Sequence, residues 1–94
     1  MRTIYKYTAR NDGSGSIDLP HHIVRFLKID HQNGNICLWA LVDTEEKPNF
    51  DKAFCVGTGW SLDDLCSAPR ELVYIDSIQD GPFVWHYVAY MLSE

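Results

Sequence analysis

The chain has 94 residues, 46% hydrophobic, 13% aromatic and 22% charged, with a formal net charge of −5. That length suits one domain over residues 1–94, burying about 60–65% of the surface an unfolded chain exposes, and the aromatic content excludes intrinsic disorder. The acidic balance excludes direct binding of nucleic acid by phosphate neutralisation, and no apolar run approaches the roughly 20 residues a membrane span needs.

Residues 2–10 alternate Thr3, Tyr5, Tyr7 and Ala9 against Arg2, Lys6, Thr8 and Arg10, interrupted only by Ile4. This predicts a strand with one wet face. The turn formers from Asn11 to Gly15 reverse the chain. Ile17 to Leu19 reads as a short returning strand, stopped at Pro20. In residues 23–30, alternation places Ile23, Leu27 and Ile29 with Arg25, and Val24 and Phe26 with Lys28 and Asp30. Gln32-Asn33-Gly34 is the sharpest local signal, since Asn-Gly tolerates the positive φ of a tight hairpin. Ile36 to Val42 is apolar on both faces. It reads as an internal strand covered on two sides, so 23–31 and 35–43 form a hairpin.

Asp43 to Asp51 is polar, acidic and broken by Pro48, hence a loop. Lys52 to Val56 is extended and leads into Gly57-Thr58-Gly59-Trp60. Ser61 to Asp64 resembles a capping box and predicts one helical turn as far as Cys66, ended by Pro69. Glu71 to Ile78 reads as a strand and Gln79 to Pro82 as a turn, with Gly81 free to take positive φ. Phe83 to Leu92 has two readings. A helix groups Val84, Tyr87, Val88 and Met91, whereas a strand groups Phe83, Trp85, Tyr87, Ala89 and Met91; β-branched and aromatic density after a turn favours the strand. The chain is therefore expected to be mainly β: about six short strands in a meander, a small antiparallel sheet or partly closed barrel, with one short helix.

The three cysteines, Cys37, Cys55 and Cys66, are odd in number and lack zinc-ligand spacing. They read as reduced thiols of a cytoplasmic protein, Cys37 and Cys55 in the core, and the N-terminal MRTIYKYTAR does not read as a signal peptide. His21-His22 reads as a solvated pair, because adjacent residues on extended chain point opposite ways and a metal site would need a third ligand. His31 is expected at the surface. His86, between Trp85 and Tyr87, is either a buried histidine donating to a backbone carbonyl or an imidazole facing a ligand in an aromatic pocket. Gly57-Thr58-Gly59-Trp60 is either a strand exit or a turn whose free backbone N–H groups meet an anion or a nucleotide oxygen. Trp60 beside it suits stacking on a planar ligand or burial in a partner. No serine or cysteine sits in a setting that marks an activated nucleophile, and Asp63-Asp64 serves a helix start. The expectation is a binding protein without a cofactor or metal, and not an enzyme.

The stretches TIYKY, QNGNICLWALVD, VGTGW and YIDSIQDGPFVWHY, in that order, resemble a family of small phage proteins of unknown function. Trp60 stands where members more often place histidine after Gly-Thr-Gly. The resemblance implies a phage accessory protein in the bacterial host cytoplasm, by analogy one acting against host defence. One mechanism is sequestration of a nucleotide-derived immune signal in a pocket of a homo-oligomer. Trp39, Gly57, Thr58, Gly59, Trp60, Gln79, Asp80, Gly81, Trp85 and His86 would then bind the ligand. The alternative is an inhibitor that occludes a host defence protein through an acidic surface, and a third reading is a structural or assembly protein of the virion.

Overall fold

The computed structural model describes residues 1–92. In chain order its elements are β1 (Arg2–Thr8), β2 (Ile17–Asp18), β3 (His22–Gln32), β4 (Asn35–Asp43), β5 (Phe50–Gly57), α1 (Asp63–Cys66), β6 (Leu72–Asp80) and β7 (Phe83–Met91). The fold is mainly β and antiparallel, with one short helix, as the patterning predicts. It is not one meander, however. The strands divide between two sheets, ordered β1-β4-β3 and β2-β5-β7-β6, and the described residues close no barrel. Ambiguous residues 83–91 form a full strand.

Local chemistry explains the hairpins. Asn33 and Gly34 take φ of 53° and 80° between β3 and β4, the left-handed pair that a two-residue turn needs to match strand twist. Gly81 takes φ 59° and Pro82 follows it, so β6 runs on to Asp80 and the turn is shorter than the four residues expected. The helical turn forms where the sequence places it, but without the expected capping box. Its N-cap is Leu62, and Ser61 Oγ only accepts a 3.4 Å bond from the Asp63 N–H.

The inner faces of the two sheets share one core, in which Ile17, Leu38, Ala40, Val42, Ala53 and Ala89 are fully buried. The Phe26 and Phe50 rings meet across it, 5.1 Å apart. In β3 the expected two-residue period fails. Bulges after Ile23 and Phe26 leave Val24 and Leu27 without partners, so Ile23, Phe26 and Ile29 lie opposite Val42, Ala40 and Leu38. Each extra residue resets the phase, and Leu27 becomes exposed instead of sharing a face with Ile23. β4 is not covered on two sides as expected: its inner face is buried, but among the described residues no second layer lies over its outer face, where Cys37 is buried and Trp39 and Leu41 are half-buried.

Side chains from the loop before β5 and from β6 satisfy the free edge of β3. The Ile23 N–H donates to Asn49 Oδ1 at 2.8 Å, and Asn49 Nδ2 donates to the Ile23 carbonyl at 2.9 Å. Farther along, the Ile29 N–H donates to Asp76 Oδ2 at 3.0 Å. These bonds join the sheets where backbone pairing stops, and they cover an edge that would otherwise invite another strand.

Tyr87 anchors the turn after β1, its hydroxyl donating to the Gly15 carbonyl at 3.0 Å. Burial, with Cys55 beside it, pushes the Tyr87 hydroxyl up to about 12. The native state therefore holds its proton more tightly than the unfolded chain, and stability should be complete below pH ~10 and fall as pH rises toward 12. Tyr87→Phe should cost about 1 kcal/mol at neutral pH through the lost bond and flatten that alkaline fall. Tyr7, raised in the same direction by burial, leaves a residual slope. Urea midpoints for both proteins from neutral to alkaline pH measure this, and parallel profiles would refute it.

Candidate functional site

β5 ends opposite the start of β7, with Gly57 paired to Trp85. Gly59, at φ 85°, then turns the chain back, and the Trp60 N–H donates to the Gly57 carbonyl at 3.2 Å. This lays the indole of Trp60 on Gly57. A Cβ at residue 57 would sit 2.7 Å from the Trp60 ring, so any larger residue there would push the indole away. Trp60 meets Trp85 edge to face, with centroids 5.6 Å apart and planes at 82°, and Phe83 lies 6.2 Å beyond Trp85. Edge-to-face geometry suits the aromatic quadrupoles. The rings wall a half-open hollow of about 370 Å³, completed by Thr58, Pro82 and Val84. Trp60 and Phe83 are nonetheless 58% and 61% exposed. Rings this large are normally covered, and here two stand open at one rim.

A polar chain runs behind the hollow. Thr58 Oγ1 lies 3.2 Å from the Val84 carbonyl and 2.6 Å from His86 Nε2, while the Tyr74 hydroxyl lies 3.0 Å from His86 Nδ1. The imidazole tautomer sets the directions: with Nε2–H, His86 donates to Thr58, whose own proton goes to the Val84 carbonyl, and Tyr74 O–H donates to Nδ1; with Nδ1–H, His86 donates to Tyr74 and Thr58 O–H donates to Nε2. Either way the chain fixes the imidazole. His86 is thus neither a core histidine bonded to a carbonyl nor a residue of the hollow's wall. It is half-buried on the face of β7 opposite Trp85.

Of the residues the sequence singles out, the fold brings Gly57, Thr58, Trp60, Trp85 and His86 together, while Gly59 turns the chain between them without lining the hollow. Trp39 is elsewhere, on the outer face of the other sheet beneath Lys28, whose Nζ is 5.1 Å from its ring centroid. Gln79, Asp80 and Gly81 belong to the neighbouring hairpin end but not to the lining; Gln79 turns inward on its own turn, Nε2 donating to the Gly81 carbonyl at 3.3 Å. Sequence reasoning missed Pro82, Phe83, Val84 and Tyr74. An exposed aromatic directly after a turn was the available signal for Phe83, whereas Tyr74 reaches His86 only through the β6–β7 register.

His21 and His22 are not the solvated pair expected. His21 Nδ1 is 2.8 Å from the Tyr7 hydroxyl with the Tyr5 ring 4.9 Å away, and His22 Nδ1 is 3.0 Å from the Lys47 carbonyl. Cys37 is buried as expected, whereas Cys55, expected in the core, is only half-buried against it, and all three cysteines are free. Among the described residues no three or more His, Cys, Asp or Glu are grouped to hold a metal ion, and no helix is long and apolar enough to cross a membrane.

A family model for a domain of unknown function matches residues 1–92. The chain belongs to that family, DUF7352. No curated protein and no solved structure matches it. The match embraces both sheets and every wall of the aromatic hollow, so the hollow is part of the DUF7352 domain itself.

Proposed function

We propose that this protein is a non-catalytic binding protein that captures the planar base of a nucleotide-derived small molecule at the Trp60–Trp85 hollow. In this reading it is a phage accessory protein of the host cytoplasm that sequesters an immune signal. The observation that carries the proposal is the exposed Trp60 ring, held edge-on to Trp85 by a glycine that no larger residue can replace without moving it. Such a ring offers a flat, rigid face, and stacking on it contributes about 1–3 kcal/mol per base. Among the described residues lining the hollow none is cationic. The base, not the phosphate, is therefore what this surface suits, and the open side is where a second copy would close a homo-oligomer's pocket.

Occlusion of a host defence protein is the second reading, favoured by the exposure of Phe83 at the rim, where a partner's side chains would bury it. Isothermal titration against cyclic dinucleotides and cyclic ADP-ribose isomers separates the two. Capture requires sub-micromolar binding of at least one compound. Trp60→Ala should weaken it by about tenfold or more, and Gly57→Ala by a comparable factor through displacement of the indole, both with unchanged far-UV circular dichroism. Absence of binding across that panel, together with stoichiometric recovery of one defence complex from host lysate, would replace capture by occlusion.

A further inference from the structure

Trp39 lies in the first sheet, apart from the hollow. Registers within the first sheet place its outer residues in rows across β1, β4 and β3. Arg2, Asp43 and His22 form one row, Ile4, Leu41 and Arg25 the next, and Lys6, Trp39 and Lys28 the third. Trp39 thus lies between two lysines and Leu41 between isoleucine and arginine. Ile4 is 58% exposed, with Val24 and Leu27 of the bulges also open to solvent.

The charge of this face opposes that of the molecule. Four of the eight Lys and Arg side chains stand on it with two of the thirteen carboxylates, Asp30 and Asp43, leaving four cations and eleven carboxylates for the rest of the chain. The cations are only weakly engaged. Lys28 is 3.7 Å from Asp30 with both exposed, exposed Arg2 is 3.9 Å from the half-buried Asp43, and Lys6 donates to the Gln32 amide. Exposed pairs of this kind contribute little and exchange readily for a better partner.

We propose that the outer face of the β1-β4-β3 sheet docks an acidic protein surface with an aliphatic centre. Complementary charge selects the carboxylates and steers their approach, while Trp39 and the Ile4–Leu41 strip supply the buried centre that concentrates binding energy. The aliphatic strip is what favours protein over single-stranded nucleic acid, since isoleucine and leucine side chains gain nothing from phosphate or sugar, and one indole makes a poor stacking track.

The test titrates the isotopically labelled full chain with a synthetic peptide alternating Glu and Leu. A Lys/Leu peptide and an oligothymidylate of equal charge are run beside it. The expected result is displacement of amide signals in the outer rows and of the Trp39 indole N–H by the Glu/Leu peptide alone, fading at high salt. Lys6→Glu with Lys28→Glu should weaken binding by about tenfold or more, and Lys6→Gln with Lys28→Gln by less, with thermal melting confirming that each folds. Four results would overturn the proposal: no displacement at all, displacement away from these rows, tighter binding of oligothymidylate, or a mass that rises with concentration and falls in the lysine variants. The third would make the face a nucleic-acid platform and the last a contact between copies.

Discussion

Leu38→Ala is expected to destabilise the protein by about 3–4 kcal/mol, a large part of the roughly 5–15 kcal/mol that holds a domain of this size folded. Leu38 is fully buried at the middle of β4, between Tyr7 of β1 and Ile29 of β3. Truncation removes the transfer free energy of the side chain and leaves a cavity. The cavity cannot collapse, because β4 is paired on both edges and its neighbours face the second sheet. Leu41→Ala, three residues on and on the outer face, should cost only about 1 kcal/mol. Urea denaturation of both variants measures the contrast. Equal losses would mean that the outer face is covered after all, and that the face assigned to a partner is not free.

The second large effect is expected at Asn49. Its side chain holds both the N–H and the carbonyl of Ile23, and Asn49→Ala leaves both without that partner. A loss of about 2 kcal/mol follows, together with faster hydrogen exchange at the Ile23 amide. Asn49→Leu separates the causes, since it restores apolar volume without either bond. Recovery of stability in Asn49→Leu would show that packing, and not the bonds, joins the loop to β3. The expected outcome is that it stays as unstable as alanine, because Ile23 retains two unmet polar groups at a half-covered edge.

Much of this molecule is legible in its residues, and the parts that are not share a cause. The alternation of β1, the Asn33-Gly34 hairpin and the turn at Gly81 all follow from short-range preferences; the first two stand where the sequence predicts them, and the third is centred there but two residues shorter. So does the Gly57–Trp60 turn, because glycine spacing and a following indole act over four consecutive residues. The face of Leu27 is not legible, since a bulge changes side-chain phase and depends on pairing with β4. Nor is the separation of Trp39 from Trp60 and Trp85. Each indole sits on or beside a strand signal of similar strength, and nothing near it says which sheet that strand will join.

The sequence alone therefore determined the strands, the turns and the glycines that permit them, because those depend on torsional preference and two-residue periodicity. Only the tertiary structure decided how the strands divide into two sheets, which aromatic rings share a hollow, and where the basic face lies. Those outcomes come from burying two inner faces against each other, a requirement met by residues dozens of positions apart.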